Sequence, residues 1–243
     1  MSQLQPAAPP SLPYWQKRFK MARNKDSKRP SGDNRVSKAV VSRLSLYLRE
    51  LQRLERDGIV TTSSNKLGEM LGFTDAQVRK DLANFGQFGY PGVGYRCSEL
   101  IATIRQIMGT DQRWPVALVG VGNLGRALLG YRGFSNQGFN VVAAFDLDPR
   151  IVGTELEDIP VYHVDDVARI VAEKSIQLAI LAVPPTAAQE VAEQITTAGI
   201  RGILNFASVM LKLPDEITVI GVDLAIEMEQ LSFAMTSRLT QRE

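Results

Sequence analysis

The segment VALVGVGNLGRALLG, residues 116–130, decides the fold of this 243-residue chain. It reads as a short apolar strand, a glycine-rich turn and the start of a helix. Gly120, Gly122 and Gly125 match the pattern G-x-G-x-x-G. In a dinucleotide fold the first glycine makes the tight turn, the second lets the backbone approach a pyrophosphate, and the third lets the helix pack on the strand. The segment therefore predicts a site where N–H groups at a helix N-terminus face phosphates.

An acidic residue follows the turn at the spacing that a dinucleotide site requires. Asp146 ends a second apolar segment, residues 141–145, about 20 residues after the turn, where the fingerprint has its ribose-binding acid. A carboxylate repels a 2′-phosphate, so Asp146 favours NAD(H) over NADP(H). The alternative is a glycine turn used only for packing. The residues expected to contact the cofactor are Gly120, Val121, Gly122, Asn123, Leu124, Gly125, Tyr131, Asp146, Val183 and Pro184.

Strands and helices alternate throughout the second half of the chain. Predicted strands are residues 116–119, 141–145, 160–162, 178–183, 202–206 and 218–221, and predicted helices are residues 124–131, 165–173, 186–198 and 225–239. This alternation predicts an α/β fold, with a Rossmann-like parallel sheet over residues 110–222. The last segment, residues 223–243, is a long apolar helix that could pack on its own sheet or cross to another subunit.

The composition limits the class of protein. A length of 243 residues suggests about two domains, and 44% hydrophobic with 22% charged residues is ordinary for a soluble globular protein. No apolar run is long enough to span a membrane, and no signal peptide is evident. With Cys97 as the only cysteine, a reducing, cytoplasmic setting is expected. With His163 as the only histidine, a zinc site or a Ser-His-Asp triad is disfavoured, and no metal is expected.

The front of the chain is basic. The formal net charge is only +2, but Lys and Arg crowd the first 38 residues while Asp and Glu concentrate later. Residues 1–34 are rich in proline and polar residues without periodicity, which predicts a disordered basic tail. This asymmetry of charge suggests a polyanionic partner.

A winged helix-turn-helix is predicted over residues 35–109. From Ser37, apolar residues recur at three- and four-residue steps until Gly58. Ser63 or Ser64 can cap a second helix, and Thr74 can cap a third helix over residues 75–85. A short turn between these two helices is typical of a helix-turn-helix. The wing is predicted as a β-hairpin over residues 85–96, followed by a helix over residues 97–108.

The third helix divides into two faces. Val78, Leu82 and Phe85 share one face and are expected in the core. The side chains expected to reach base edges and phosphates in a major groove are Gln77, Arg79, Lys80 and Asn84. The alternative is a solvated polar face, but the preceding turn and the basic surroundings favour DNA.

The sequence gives little support to an enzyme. Oxidoreductases of this fold carry a substrate domain with a general acid or base, often His or Lys. Little of the chain follows the predicted sheet, and His163 stands just before the helix at residues 165–173, where a surface or capping role is expected. A sensor that does not react its dinucleotide is favoured. The alternatives are an NAD-dependent oxidoreductase with a basic accessory domain, and a repressor sensing another nucleotide-like ligand such as coenzyme A.

Several motifs together resemble one family. Over about residues 37–238, the chain is similar to the Rex family of redox-sensing transcriptional repressors. The motifs that carry the resemblance are SRLSLYLREL, TTSSNKLGEMLG, QVRKDL, FGQFGYPGVGY, LVGVGNLGRALL with FDLDP, GILNFA and VDLAIEMEQLSF. The resemblance implies a homodimer in which each subunit has a winged helix and a Rossmann domain and the last helix is exchanged. It also implies binding to palindromic operators of respiratory and fermentative genes, release by NADH, and DNA binding that is compatible with NAD⁺.

The resemblance also implies roles for individual residues. In QVRKDL, Arg79 and Lys80 should be the main recognition contacts. A switch is implied for Arg49, Tyr131 and Asp223, in which the Asp of the exchanged region pairs alternately with the Arg and with the Tyr near the nicotinamide. One departure concerns the wing, which has Tyr90 and Pro91 where many relatives have a basic residue. Tyr90, Arg96 or the basic tail are candidates to replace it.

Overall fold

The computed structural model describes residues 36–240, and it describes side chains only as far as residue 237. The predicted disordered basic tail, residues 1–34, lies outside the described residues. The chain folds around a helical core in its first part and a seven-stranded sheet in its second.

The helix-turn-helix forms as the capping residues predict. Helix α1, Lys38–Arg56, starts where the Ser37 hydroxyl accepts the N–H of Val40. Helix α2, Ser64–Leu71, is capped by Ser63 rather than Ser64, at 3.1 Å from the Lys66 N–H. The Thr74 hydroxyl caps α3, Asp75–Ala83, at 3.1 Å from the Gln77 N–H. Helix α3 is therefore two residues shorter than predicted.

The wing differs from the predicted hairpin. Strand β2, Tyr95–Arg96, pairs antiparallel with β1, Thr61–Thr62, and not with the residues just before it. The loop between α3 and β2 contains a single bridge, Tyr90–Gly94. Its four glycines, Gly86, Gly89, Gly92 and Gly94, all have positive φ. Such a backbone cannot continue as a strand, so the wing is a turn-rich loop. Helix α4, Cys97–Met108, follows as predicted.

Apolar side chains from α1 to α4 form the core of this part. The buried members of this cluster are Leu44, Tyr47, Leu48, Leu51, Leu54, Leu67, Val78, Leu82, Tyr95, Cys97, Leu100, Ile101 and Ile104. Phe85 is partly buried against them. The predicted core face of α3 is therefore confirmed.

The second part is the predicted α/β sheet. In chain order its elements are β3 Trp114–Val119, α5 Asn123–Leu129, β4 Phe139–Asp146, β5 Glu155–Leu156, β6 Ile159–His163, α6 Val167–Glu173, β7 Leu178–Leu181, α7 Pro185–Thr197, β8 Gly202–Asn205, β9 Thr218–Gly221 and α8 Leu224–Thr240. The strand order is β5-β6-β4-β3-β7-β8-β9, and only the β5–β6 pair is antiparallel. The short edge strand β5 was not predicted.

The strand order fixes where a ligand can bind. From β3 the chain first builds outward through β4 and later returns to add β7 on the other side of β3. Ligands of such sheets bind beyond the carboxyl ends of the strands at this reversal. The glycine turn after β3 lies there. One face of the sheet is covered by α6 and α7, and α5 covers the other face only near β3 and β4.

Candidate dinucleotide site and DNA-binding surface

Backbone contacts explain two glycines of the turn, and open space explains the third. A Cβ on Gly120, whose φ is +93°, would lie 2.5 Å from the carbonyl oxygen of Ala182. A Cβ on Gly125 would overlap the carbonyl oxygen of Gly120. Gly122 has no atom within 4 Å of its Cβ position. The strand, turn and helix therefore pack too closely for side chains at Gly120 and Gly125, while Gly122 leaves room for an approaching group.

Asp146 lies against the glycine turn. Its Oδ2 accepts the N–H of Val121 at 2.6 Å, and its Oδ1 accepts the N–H groups of Leu147 at 2.7 Å and Asp148 at 2.9 Å. These bonds fix the carboxylate at the end of β4. A cavity of about 300 Å³ opens beside it, lined by Val121, Gly122, Asn123, Arg126, Asp146, Asp148, Arg150 and Ile151. The structure thus brings Asp146 and the turn into one pocket.

Three charged residues of this pocket were missed by the sequence reasoning. Arg126 donates from Nε to the carbonyl of Val121 at 3.2 Å. Arg150 forms an ion pair with Asp148 at 2.6 Å, and its hydrogen bond lowers the pKa of Asp148 to about 2. Asp148 is therefore paired with Arg150, whereas Asp146 is held by backbone N–H groups. The signal was available, because Asp148 and Arg150 stand directly after Asp146 in FDLDPR.

The other predicted cofactor residues fall into two groups. Val183 and Pro184 follow β7 at the same edge of the sheet as the turn, and the Val183 side chain packs near Gly120. Val121 is buried, and its N–H and carbonyl already bond to Asp146 and Arg126, whereas Leu124 is exposed. Tyr131 lies elsewhere: its ring packs edge-on against Phe134 at 5.1 Å and stands over Gly133. Its contact with a cofactor stays a prediction.

Tyr131 lines an apolar groove on the open face of the sheet. We call this cavity of about 760 Å³ the sheet groove. Its floor is formed by apolar side chains of the sheet strands, among them Val116, Val141, Leu178, Ile180, Leu204 and Ile220. Arg49 of α1 lines the same groove. The groove therefore brings together two of the three residues of the expected switch.

The third of these residues, Asp223, directly precedes helix α8, whose apolar side chains are largely exposed. The Oδ1 of Asp223 accepts the N–H of Ala225 at 2.9 Å and so caps α8. The apolar side chains of this helix are exposed, and Phe233 keeps 76% of its surface. The exposed apolar set is Leu224, Ile226, Met228, Leu231, Phe233 and Met235. The helix thus presents a bare apolar surface in the single chain.

The outer face of α3 is exposed and basic. Arg79, Lys80 and Asn84 are exposed as predicted. Arg79 pairs with Asp75 at 2.7 Å, whereas Lys80 has no ion pair among the described residues. Two small residues that the sequence reasoning missed, Ala76 and Ala83, lie on the same exposed side. Small side chains there allow a helix to approach base edges closely.

Gln77 differs from these residues. Its side chain is half-buried, and its amide donates to Oδ1 of Asp81 at 2.7 Å within α3. In the wing, the Tyr90 hydroxyl donates to Glu99 at 3.2 Å, and Arg96 pairs with the other oxygen of Glu99 at 3.2 Å. The Arg96 guanidinium also lies 5.2 Å from the centre of the Tyr90 ring. Glu99, which was not predicted, therefore contacts both Tyr90 and Arg96.

The single histidine and cysteine have structural surroundings. His163 caps a 3₁₀ turn, where its Nδ1 accepts the N–H of Asp165 at 3.3 Å, so the capping prediction is confirmed. Cys97 is buried, and burial raises the pKa of its thiol. Within residues 36–240 no cluster of His, Cys, Asp and Glu could hold a metal ion. No helix in the same range is long and apolar enough to cross a membrane.

A winged helix-turn-helix joined to a dinucleotide fold defines a transcription regulator controlled by a nucleotide. Comparison with known proteins narrows this class. A family model described as a putative DNA-binding protein N-terminus matches residues 35–83, and one described as a CoA binding domain matches residues 111–209. A redox-sensing transcriptional repressor Rex from Pelotomaculum thermopropionicum is 43% identical over 207 residues, covering 85% of this chain and 97% of the relative. The Rex of Carboxydothermus hydrogenoformans is 44% identical over 199 residues, covering 82% and 96%.

Solved structures agree with these relatives. RSP, a Rex-family repressor, in complex with β-NAD⁺ and operator DNA has a TM-score of 0.80 at 36% identity, covering 86% of this chain and 96% of that chain. RSP with β-NADH has a TM-score of 0.77 at 34% identity, covering 85% and 97%. The chain belongs to the Rex family of redox-sensing transcriptional repressors. The resemblance read from the motifs is confirmed, and the oxidoreductase alternative is excluded, because the relatives are named repressors.

Proposed function

We propose that this Rex protein is a homodimeric repressor that binds palindromic operator DNA through α3 and leaves it when NADH binds, while NAD⁺ remains compatible with DNA binding. One observation carries the proposal: a single chain holds both the Asp146 pocket beside the glycine turn and an exposed basic recognition face. It would act in the cytoplasm, on the DNA of its own cell. Residues 35–109 would form the DNA-binding domain, and residues 110–222 would form the NAD(H) domain.

The cofactor is NAD(H) rather than coenzyme A or NADP(H). The pyrophosphate would lie over Gly122, where the turn is open and the first N–H groups of α5 are available. Asp146 would accept hydrogen bonds from the ribose hydroxyls. Val183 and Pro184, beyond the neighbouring strand, would border the other half of the dinucleotide. RSP, which is similar to this chain, has been solved with NADH and with NAD⁺.

The dimer would form by exchange of α8. This 17-residue helix spans about 25 Å at a rise of ~1.5 Å per residue. Its apolar side chains are exposed, and the sheet groove is apolar and open. Burying apolar surface is worth about 25 cal/mol per Å². We therefore propose that residues 223–243 are a dimerisation segment, and that α8 of one protomer occupies the sheet groove of its partner.

The exchange would complete a switch. Arg49 and Tyr131 line the groove that the partner's α8 would enter, and Asp223 stands at the start of that helix. The Asp could then pair with the Arg or with the Tyr, depending on the bound nucleotide. NAD⁺ carries one more positive charge on its ring than NADH, so a nearby charge pair can respond to the difference. A ligand shifts such an equilibrium only through its differential affinity for the two arrangements.

On DNA, Arg79, Lys80 and Asn84 would read the major groove. Arg79 pairs with Asp75, whereas Lys80 makes no ion pair with a described residue. Tyr90 and Arg96 would contact DNA from the wing once they leave Glu99. These assignments follow from exposure and residue type.

The proposal is tested by an operator gel shift with each nucleotide separately. The operator is first selected from a random duplex pool with the wild-type protein, and the binding ratio gives the stoichiometry. We expect two protomers per palindrome, release by NADH and no release by NAD⁺ at the same concentration. Release by both nucleotides or by neither, or binding of one protomer per site, would contradict the proposal.

A further inference from the structure

A carboxylate is buried beneath the recognition helix. Asp81 of α3 is a charged residue, yet it is only 1% exposed and lies beside the apolar core. Arg43 of α1 reaches both of its oxygens, with Nε at 2.5 Å from Oδ2 and Nη2 at 2.8 Å from Oδ1. The Tyr47 hydroxyl donates to Oδ2 at 2.8 Å, and the Gln77 amide donates to Oδ1 at 2.7 Å. We call these four residues the Asp81 cluster.

The hydrogen bonds of the Asp81 carboxylate all come from the other members of the cluster. Each carboxylate oxygen accepts two hydrogen bonds, so the buried charge is paired and hydrogen-bonded. Burial opposes ionisation of Asp81, but the hydrogen bonds from its three partners outweigh burial and lower its pKa. Burial and Asp81 also raise the pKa of Tyr47, so that its hydroxyl remains a donor. The lowered pKa favours the ionised form of Asp81, and the raised pKa of Tyr47 favours its protonated hydroxyl.

The cluster supplies directional contacts between α1 and α3. The remaining contacts of α3 with the core come from apolar side chains such as Val78 and Leu82, whose attraction is not directional. A bidentate Arg–carboxylate pair has a fixed planar geometry and does not. Lys80 is the neighbour of Asp81 in α3, so a rotation of this helix would displace its exposed side chains.

We propose that Arg43, Tyr47 and Asp81 are positioning residues for operator recognition. They hold α3 at the rotation that base reading requires. Gln77 has the same positioning role, because its amide donates to Asp81 and is therefore not available to contact a base. The proposal rests on the recognition role proposed for α3. Further along the same helix, α1, Arg49 lines the sheet groove.

The first experiment separates recognition from general DNA affinity. Arg43→Lys keeps the charge but loses the bidentate geometry, and Arg53→Lys, at an exposed Arg paired with Glu50 on the same helix, is the control. Affinities are measured for the operator and for a shuffled duplex of equal length and composition. For Arg43→Lys we expect operator affinity to fall about tenfold or more, and affinity for the shuffled duplex to change less than about twofold. Arg53→Lys should change neither affinity.

A loss of folding cannot imitate this result. Unfolding would lower both affinities by the same factor, and that outcome, or an unchanged ratio of the two affinities, would overturn the proposal. Because losing a buried pair can unfold a domain, Tyr47→Phe provides a milder variant that retains the Arg43–Asp81 pair. It should reduce the ratio of operator affinity to shuffled-duplex affinity in the same direction, at an unchanged melting temperature of the full chain. A wild-type protein that ignored every operator would contradict the proposed function instead.

Gln77 gives a second, independent readout. Operators with single base-pair changes are compared for wild type, Gln77→Ala and Tyr47→Phe. If Gln77 serves Asp81, Gln77→Ala weakens the preference at all positions of the half-site, with the same profile as Tyr47→Phe. A loss of preference confined to one base pair would show that Gln77 reads that base, and would overturn this part of the proposal.

Discussion

At the scale of single residues, Asp146 connects the glycine turn to the proposed nucleotide pocket. It holds the Val121 N–H of the glycine turn and still faces the open pocket. Its position was predictable, because the fingerprint fixes its distance from the turn in sequence. The ion pair between Asp148 and Arg150 was not predicted, although both residues stand shortly after Asp146 in the sequence.

Asp146→Ala should weaken NADH binding and leave DNA binding without nucleotide intact. A hydrogen bond to a charged group contributes about 1.5–3 kcal/mol, so affinity should fall roughly tenfold to a hundredfold. Calorimetry with NADH measures the change, and Asp165→Ala, at an exposed acid outside the pocket, is the control. Equal NADH affinity in Asp146→Ala and wild type would refute the ribose role.

Lys80→Ala should weaken operator binding. If Lys80 neutralises one phosphate, the slope of log affinity against log salt becomes shallower by about one. Affinity is measured from low to moderate salt, with Lys212→Ala, an exposed residue outside the winged helix, as the control. An unchanged affinity and slope would remove Lys80 from the interface.

Local chemistry explains which residues could be predicted. Ser37, Ser63 and Thr74 cap helices through bonds that span three residues, so a short window of sequence contains all the information. Arg43, the ion-pair partner of Asp81, is 38 residues away, so a short window of sequence does not reveal it. A signal existed nevertheless: Asp81 stands next to Leu82, on the side of α3 that was predicted to be buried, and a charged residue there requires a partner.

At the scale of elements, the sequence pattern did not predict the strand partner of the wing or the surface that covers α8. The sequence predicts a hairpin between residues 85 and 96, but β2 pairs with β1, which precedes two helices. Periodicity cannot identify a distant pairing partner. In the same way it predicts that α8 is apolar and helical, but it does not say what covers the helix. The open sheet groove supplies a candidate of matching chemistry.

Phe233→Asp should disrupt the dimer. The side chain is 76% exposed in the single chain, so a charge there leaves the monomer fold intact but opposes burial in a partner. Sedimentation should show a shift from dimer towards monomer. Ile220→Asp in the sheet groove should act alike, whereas Val60→Asp, at a 71% exposed position outside both surfaces, should not. A dimer that persists in both variants would contradict the exchange.

At the scale of the whole molecule, α1 connects the two functions. It carries Arg43 towards Asp81 of the recognition helix and Arg49 into the sheet groove. Helix α1 therefore contacts both the recognition helix and the sheet groove. This arrangement depends on tertiary packing. Arg49 was predicted through the family resemblance, whereas Arg43 and Asp81 were not predicted.

Asp223→Asn should uncouple nucleotide from DNA. Asn is as good an N-cap as Asp, so α8 keeps its start, but the charge is lost. The variant should bind NADH and operator separately and remain on DNA when NADH is added. Asp215→Asn, at an exposed position that does not line the groove, is the control. If NADH released Asp223→Asn as it releases wild type, the switch would fail.

The central claim is that the protein measures the balance of NADH and NAD⁺, and operator occupancy at varying nucleotide ratio tests it most directly. Fluorescence anisotropy of a labelled operator is followed while NADH replaces NAD⁺ at constant total concentration, and the series is repeated at a higher total. Competition for one pocket predicts release at the same ratio in both series, provided that both totals saturate the site. Release that follows the absolute NADH concentration regardless of NAD⁺, or no release at any ratio, would contradict the account.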